Sequence, residues 1–250
     1  LRLLDPFWLL LAGFGGGLSG SVAGLASLVS YPALLAAGLS PVSANVTNTV
    51  SLVFSSAGSV WGFRPELKGQ GRTVRRLVPF AMAGGAAGGL LLLATPSSAF
   101  ARLVPWLIGV ASLAVLLPRR LARPAPRRPR RSRALLSAGV FCVAIYGGYF
   151  GAAAGVVLLA VLLVSTVEPL ARATALRNLL LGSANAVAAV SFIAWGPVRW
   201  SAAIPLSAGF LAGGRLGPIV VRNVPAAPLR VLIACAGLGL AVHLGLDAYH

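Results

Sequence analysis

Two sets of residues in this sequence have the types and spacing to hold an anion. The first is a pair of glycine-rich runs, Gly15-Gly16-Gly17-Leu18-Ser19-Gly20-Ser21 and, much later, Gly147-Gly148 with Gly151. Each glycine costs up to about 1 kcal/mol in a helix interior, so such runs favour a break in a helical chain. A break frees backbone N–H groups at the start of the helix that follows, and these, with the helix dipole, suit a negative charge. Gly16, Gly17, Ser19 and Gly20, with Gly147, Gly148 and Gly151, are therefore candidate substrate-binding positions. The plainer reading is close helix packing through small residues, and the residues weigh evenly between the two. For Gly84/Gly88 and Gly213/Gly217 packing is the better account.

The second set is polar. Ser43, Asn45, Thr47, Asn48, Thr49 and Ser51 fall together in an apolar context, as do Arg177, Asn178, Ser183 and Asn185. Polar groups within a membrane span are costly and mark candidate function. Hydroxyls and amides donate hydrogen bonds to an oxyanion without a fixed cation, which selects Asn48, Thr49 and Asn178. Arg177 adds charge and a fork of donors; its alternative is to reach the interface along its aliphatic stem. Capping is the bland role for Ser43 and Asn45. Arg215 lies mid-span, as a pathway residue or paired with a carbonyl.

What is missing narrows the chemistry. The acids are Asp5, Glu66, Glu168 and Asp247, none at the centre of a span. Proton pumps use intramembrane carboxylates and cation pathways use acidic rings or carbonyls, so both readings weaken. Glu168 is the one candidate for coupling, and a loop before Pro169 is its expected place. Cys142 and Cys235 form no CxxC pair and read as two small buried hydrophobes. No HExxH, GxSxG or Walker pattern occurs. Neither an enzyme nor a cofactor is indicated, and no metal site.

The elements that must position these groups are membrane helices. Hydrophobic residues make up 58% of 250 and charged residues 10%, where a soluble domain carries about a quarter charged. The net charge of +17 comes from 21 Lys+Arg against 4 Asp+Glu. These cations sit in short loops between apolar runs, which speaks for topology and against nucleic-acid binding. The first apolar stretch, Phe7 to Leu39, spans 33 residues, too long for one span and too short for two. Its counterpart in mid-chain argues against a cleaved signal peptide. Spans follow over Val42–Phe63, Leu77–Thr95 and Phe100–Leu117. A Pro/Arg-rich cytoplasmic linker, 118–133, separates a first membrane repeat, 1–117, from a second, 134–250. The second opens with a long glycine-broken stretch, Ala134–Val167, then spans over Ala173–Trp195, Trp200–Val221 and Leu229–Ala248. Gly16, Gly17, Gly20 and Gly24 match Gly147, Gly148, Gly151 and Gly155 at an offset of 131. Gly84, Gly85, Gly88 and Pro96 match Gly213, Gly214, Gly217 and Pro225 at 129. Matches in order at nearly one offset indicate duplication.

If each opening stretch crosses fully, the halves are parallel, and Arg172, Arg177, Arg222 and Arg230 lie towards the outside. If each enters and returns, the halves are inverted. Those four then join Arg64, Lys68, Arg72, Arg75, Arg76 and the linker inside, leaving Arg2, Arg102 and Arg199 outside. The positive-inside bias favours inversion, a known transporter design.

The sequence also resembles the sulfite exporter TauE/SafE family of membrane permeases. The carrying residues are Gly13-Phe14-Gly15-Gly16-Gly17-Leu18-Ser19-Gly20, Tyr31-Pro32-Ala33-Leu34-Leu35, and Gly38-Leu39-Ser40-Pro41 through Ala44 and Thr47. The second half echoes them with Tyr146-Gly147-Gly148-Tyr149-Phe150-Gly151, Ala173-Thr174 and Trp195-Gly196-Pro197-Val198-Arg199-Trp200. Ser21-Val22-Ala23 and Ala152-Ala153-Ala154 stand where that family often has more glycine. The resemblance covers nearly the whole chain except the linker. It implies movement of sulfite, thiosulfate, sulfonates or related anions across the membrane.

The expectation is an all-α, polytopic protein of the inner (cytoplasmic) membrane with about eight transmembrane segments in two repeated halves, each opening with a Gly-broken or hairpin-like helix. Its partners are a small anionic substrate and the lipid bilayer, with alternating access between the halves. Two other readings fit the residues: a non-transporting membrane subunit, and a transporter of a neutral or cationic solute.

Overall fold

A computed structural model describes residues 6–116, 131–166, 168–223 and 227–249. Eleven helices make up the described residues. The first half holds α1 (Pro6–Ala23), α2 (Ala26–Ala36), α3 (Pro41–Gly62), the single turn α4 (Arg64–Leu67), α5 (Gly71–Ala94) and α6 (Ser97–Leu116). The second holds α7 (Arg131–Tyr149), α8 (Ala154–Ser165), α9 (Leu170–Trp195), α10 (Trp200–Asn223) and α11 (Ala227–Tyr249). The Pro/Arg linker lies outside the described residues up to 130, and α7 starts three residues before the expected Ala134.

The protein is built inside out relative to a soluble bundle. Phe7, Trp106, Val110, Val190, Trp195 and Ile204 are exposed on the perimeter, while Asn45, Thr47, Asn48, Ser51 and Arg177 are fully buried. A hydrocarbon surround imposes that pattern, since polar groups must find partners inside. By length and composition, Pro6–Ala23, Gly71–Ala94, Leu170–Trp195 and Trp200–Val220 can cross a membrane. The central helix α3 is long enough but too polar to join them, and it buries that polar face against its neighbours. Cys142 and Cys235, expected to be buried, are exposed on the perimeter. A thiol is apolar enough for the lipid-facing side.

The two long opening stretches are hairpins. A Cβ on Gly15 would touch the Val29 side chain, 14 positions on, at 3.8 Å, and one on Gly139 would meet Val161 at 3.1 Å. Such contacts require α2 to fold back along α1, and α8 along α7. The turns lie later than the glycine runs suggest. Gly15 to Ser21 are helical, as are Gly147 and Gly148, and the chain breaks at Gly24–Leu25 and at Phe150–Ala153. The break residues carry the left-handed geometry: Gly24 at φ +79°, Gly151 at +76° and Ala153 at +56°.

The expected break at Gly15–Ser21 is thus corrected, and the reason is packing. A Cβ on Gly17 would lie 2.6 Å from the Phe210 carbonyl of α10, and one on Gly84 2.5 Å from the Phe141 carbonyl of α7. Glycine lets these backbones touch. Gly213 and Gly217 receive Phe14, Leu18 and Ser21 of α1 in the same way.

Helices pack in matched pairs across the halves. α1 packs on α10 and α7 on α5; α3 packs on α10 and α9 on α5. Each hairpin therefore rests on the long helix of the other half. α3 and α9 run antiparallel. At one end Ser43 Oγ donates to the Pro197 carbonyl at 2.9 Å, and the Arg199 N–H to Thr47 Oγ1 at 3.1 Å. Farther along α3, Ser56 meets Gly182. At the opposite face, Arg172 donates to the Lys68 carbonyl at 3.2 Å, Gln70 to the Arg172 carbonyl at 3.2 Å, and Arg76 to the Arg133 carbonyl. Lys68, Arg76, Arg133 and Arg172, from both halves, thus gather on one face, and corresponding helices point in opposite directions.

Candidate functional site

The hairpin turns meet at the centre of the molecule. A Cβ on Gly24 would lie 2.7 Å from the Gly155 carbonyl carbon, and one on Gly155 2.6 Å from Gly24 Cα. Two turns can touch this closely only if both lack side chains at the contact. The first turns of α2 and α8 consequently point at the same place. Neither start has a side-chain cap, so each presents the positive end of its dipole inward.

Beside this contact lies a cavity of about 50 Å³, several times the volume one water needs. Gly20, Gly24, Ala26 and Ser27 border it from the first hairpin, and Gly147, Gly151, Ala154 and Gly155 from the second. α3 contributes Leu52, Ser55, Ser56 and Ser59, and α9 contributes Arg177, Asn178, Leu181 and Asn185. Among the described residues no carboxylate lines it.

Arg177 is 0% exposed. It does not reach an interface, as snorkelling would require. Its Nη2 donates to the Gly20 carbonyl at 2.9 Å, the Ser21 carbonyl at 2.8 Å and Asn178 Oδ1 at 2.7 Å. Asn178 Nδ2 donates to the Ser21 carbonyl at 3.3 Å. The guanidinium thus sits on the last carbonyls of α1, where the dipole is negative. That placement offsets part of the cost of burying a cation. The mirror contact is Asn45 Nδ2 donating to the Tyr149 carbonyl at the end of α7, at 2.8 Å. Each half's central helix ties down the other half's hairpin.

Asn48 stands one step behind the cavity. Its Oδ1 accepts from Ser30 Oγ at 2.6 Å, and its Nδ2 donates to Ser27 Oγ at 3.2 Å. Ser27 Oγ is therefore used as an acceptor by Asn48. Its own O–H remains to donate, at the first turn of α2 on the cavity wall. Thr49 Oγ1 instead returns to the Asn45 carbonyl at 3.0 Å, and Ser19 Oγ to the Gly16 carbonyl at 3.1 Å.

Of the residues singled out from sequence, Gly20, Gly147, Gly151, Arg177, Asn178 and, from the polar set, Asn185 come together on the cavity. Gly16 and Gly17 pack against α10, and Gly148 against Gly85; Ser19, Asn48 and Thr49 are held within the helices. The sequence reading did not name Gly24, Ser27, Ser55, Ser56, Ser59 and Gly155 as site residues. The offset pairing of Gly24 with Gly155 was a signal for two of them. Arg215 is on the outer face of α10, its Cζ 4.0 Å from the Trp61 ring centroid, a cation–π contact at the perimeter. Glu168 lies in the loop before α9 and pairs with Arg172 at 3.1 Å.

The aromatic side chains Tyr31, Phe100, Tyr149 and Phe150 close the molecule on the side of the α3 start. Tyr31 meets Phe150 edge-on at 5.3 Å, and Phe100 lies 5.8 Å from Tyr149. The cavity lies beyond them, towards the face that carries the cations.

An all-helical chain with an apolar perimeter, and a polar cavity between facing helical hairpins, defines a polytopic membrane transporter. The chain belongs to the sulfite exporter TauE/SafE family, which it matches over residues 9–244. It is 27% identical over 245 residues to the probable membrane transporter protein YfcA of Escherichia coli, covering 97% of this chain and 89% of that one. A probable membrane transporter protein of Haemophilus influenzae is 24% identical over 212 residues, 84% of this chain and 83% of the other. One from a Sinorhizobium species is 23% identical over 247 residues, 97% and 93%. No solved structure matches.

Proposed function

We propose that this protein is a permease that moves a small sulfur-containing anion, such as sulfite, thiosulfate or an organosulfonate, across the cytoplasmic membrane. The observation that carries the reading is the central cavity. A buried Arg177 and two uncapped helix starts border it, with Ser27 free to donate and no carboxylate among the described residues of the wall. Fixed donors and dipoles of one sign suit an oxyanion, and a volume of about 50 Å³ suits a small one. The family's name supports sulfur oxyanions among the small anions. Gly20, Gly147, Gly151, Arg177 and Asn178 form the site together with Ser27, and Asn48 positions Ser27. Alternating access follows from the interleaved halves: rocking one hairpin pair against the other opens the cavity to either side.

The test is flux into proteoliposomes holding the purified chain. Labelled sulfite or thiosulfate crosses faster than in protein-free vesicles, and sulfate, acetate and a metal ion do not match it. Absence of any anion flux ends the reading in favour of a non-transporting subunit. Metal or neutral-solute flux without anion flux assigns the protein to another solute class.

A further inference from the structure

The perimeter carries a second concavity, remote from the central cavity. It is a groove of about 850 Å³ between α5 and α7, within the size range of small-molecule sites. Its order along the helices is polar to apolar. On α5 the lining residues are Arg76, Phe80 and Ala83; on α7 they are Arg133, Ala134, Ser137, Ala138 and Phe141. The two helices run parallel, since Gly84 meets Phe141 and Gly88 meets Tyr149. Both arginines therefore sit at the end that lies on the cationic face. The apolar residues follow for about 10 Å towards the middle of the bundle, at about 1.5 Å per residue. Phe80 is 42% exposed, so the groove faces the bilayer. Arg76 is held in place by donating to the Arg133 carbonyl and to Ser137 Oγ at 3.4 Å. Among the described residues no acid lines the groove.

We propose that this groove is a specific site for an anionic phospholipid, its phosphate between Arg76 and Arg133 and its upper acyl chain along Phe80, Ala83, Ala138 and Phe141. Charge complementarity selects an anionic headgroup, because a zwitterionic lipid carries its own cation against the phosphate. The apolar floor selects a lipid over a free ion. Basic pockets between membrane helices on the cytoplasmic side are where such headgroups bind, and the cationic face is the one that the positive-inside bias assigns to the cytoplasm. The inference is independent of what the central cavity carries.

Native mass spectrometry of the delipidated chain in detergent tests it, with phosphatidylglycerol, phosphatidylcholine or inorganic phosphate added. Phosphatidylglycerol is expected to bind in preference to phosphatidylcholine. The double variant Arg76→Gln/Arg133→Gln is expected to lose about fivefold in its affinity per arginine, roughly 25-fold in all. Ala138→Phe, which leaves both charges and fills the floor, is expected to reduce binding too. Arg215→Gln, a perimeter arginine on α10, is expected to leave it unchanged. Equal retention of phosphatidylglycerol by the double variant, an equal loss in Arg215→Gln, or displacement by inorganic phosphate overturns the proposal.

Discussion

At the scale of single residues, the buried cation organises the centre. Arg177 joins α9 to the end of α1 through two acceptors, the Gly20 and Ser21 carbonyls, and a hydrogen bond to a charged group is worth about 1.5–3 kcal/mol. Arg177→Met is expected to destabilise the protein and abolish flux, whereas Arg177→Lys keeps the charge without the fork. Sulfite flux in the lysine variant should be intermediate; flux equal to wild type would remove the guanidinium geometry from the mechanism. Ser27→Ala tests the hydroxyl donor on the cavity wall. It removes one donor to a charged ligand, worth about 1.5–3 kcal/mol. The expected result is a rise of roughly 10- to 150-fold in apparent KM, together with a loss of about 1–3 kcal/mol of stability as Asn48 Nδ2 loses its buried acceptor. An unchanged KM would exclude Ser27 from the site. Arg177 and Asn178 were legible in the sequence because polar side chains stand out within an apolar span. Ser27 was not, because a serine in a small-residue stretch looks like packing until Asn48 is seen to occupy its lone pair.

At the scale of elements, the hairpins were legible and their turns were not. Stretches too long for one span and too short for two announce an entry and a return. The dense glycine runs suggested the break, but glycine serves two ends, turning a chain and letting two backbones touch. Local sequence cannot tell which, because the touching partner, α10 or α5, lies far along the chain. The true turns hold fewer glycines and carry the positive φ values. Gly24→Ala is expected to cost at least about 1–2 kcal/mol from the left-handed backbone alone, with a further cost from contact with Gly155. Thermal unfolding measures it, and a change below about half a kcal/mol would contradict the turn geometry. The hairpins also fix direction. Single cysteines at positions 68 and 172, in a background without Cys142 and Cys235, are expected to label from the same side of the membrane, and one at 199 from the other. Labelling of 68 and 172 from opposite sides would rule out this arrangement.

At the scale of the whole molecule, the strongest packing joins one half to the other. α1 lies on α10 and α7 on α5, with glycines at both seams. Residues 1–117 and 134–250 expressed separately are each expected to be degraded or aggregated, and to restore flux when produced together in one cell. A stable, monodisperse single half would show that the seams are dispensable. The matched glycine offsets were readable in the sequence, whereas the half on which each hairpin rests was not, because the offsets hold either way.

That exchange bears on ancestry and biosynthesis. Two separate copies of a single half, inserted in opposite orientations, would make the same contacts as an exchanged homodimer. Such a pair depends on one gene product entering the membrane both ways in equal numbers. Joining the copies removes that balancing problem, and an odd number of crossings in the first copy then dictates the orientation of the second. Each half is thereafter free to diverge: Arg177 lies on one central helix and Asn45 on the other, a division of labour that a pair of identical chains could not have.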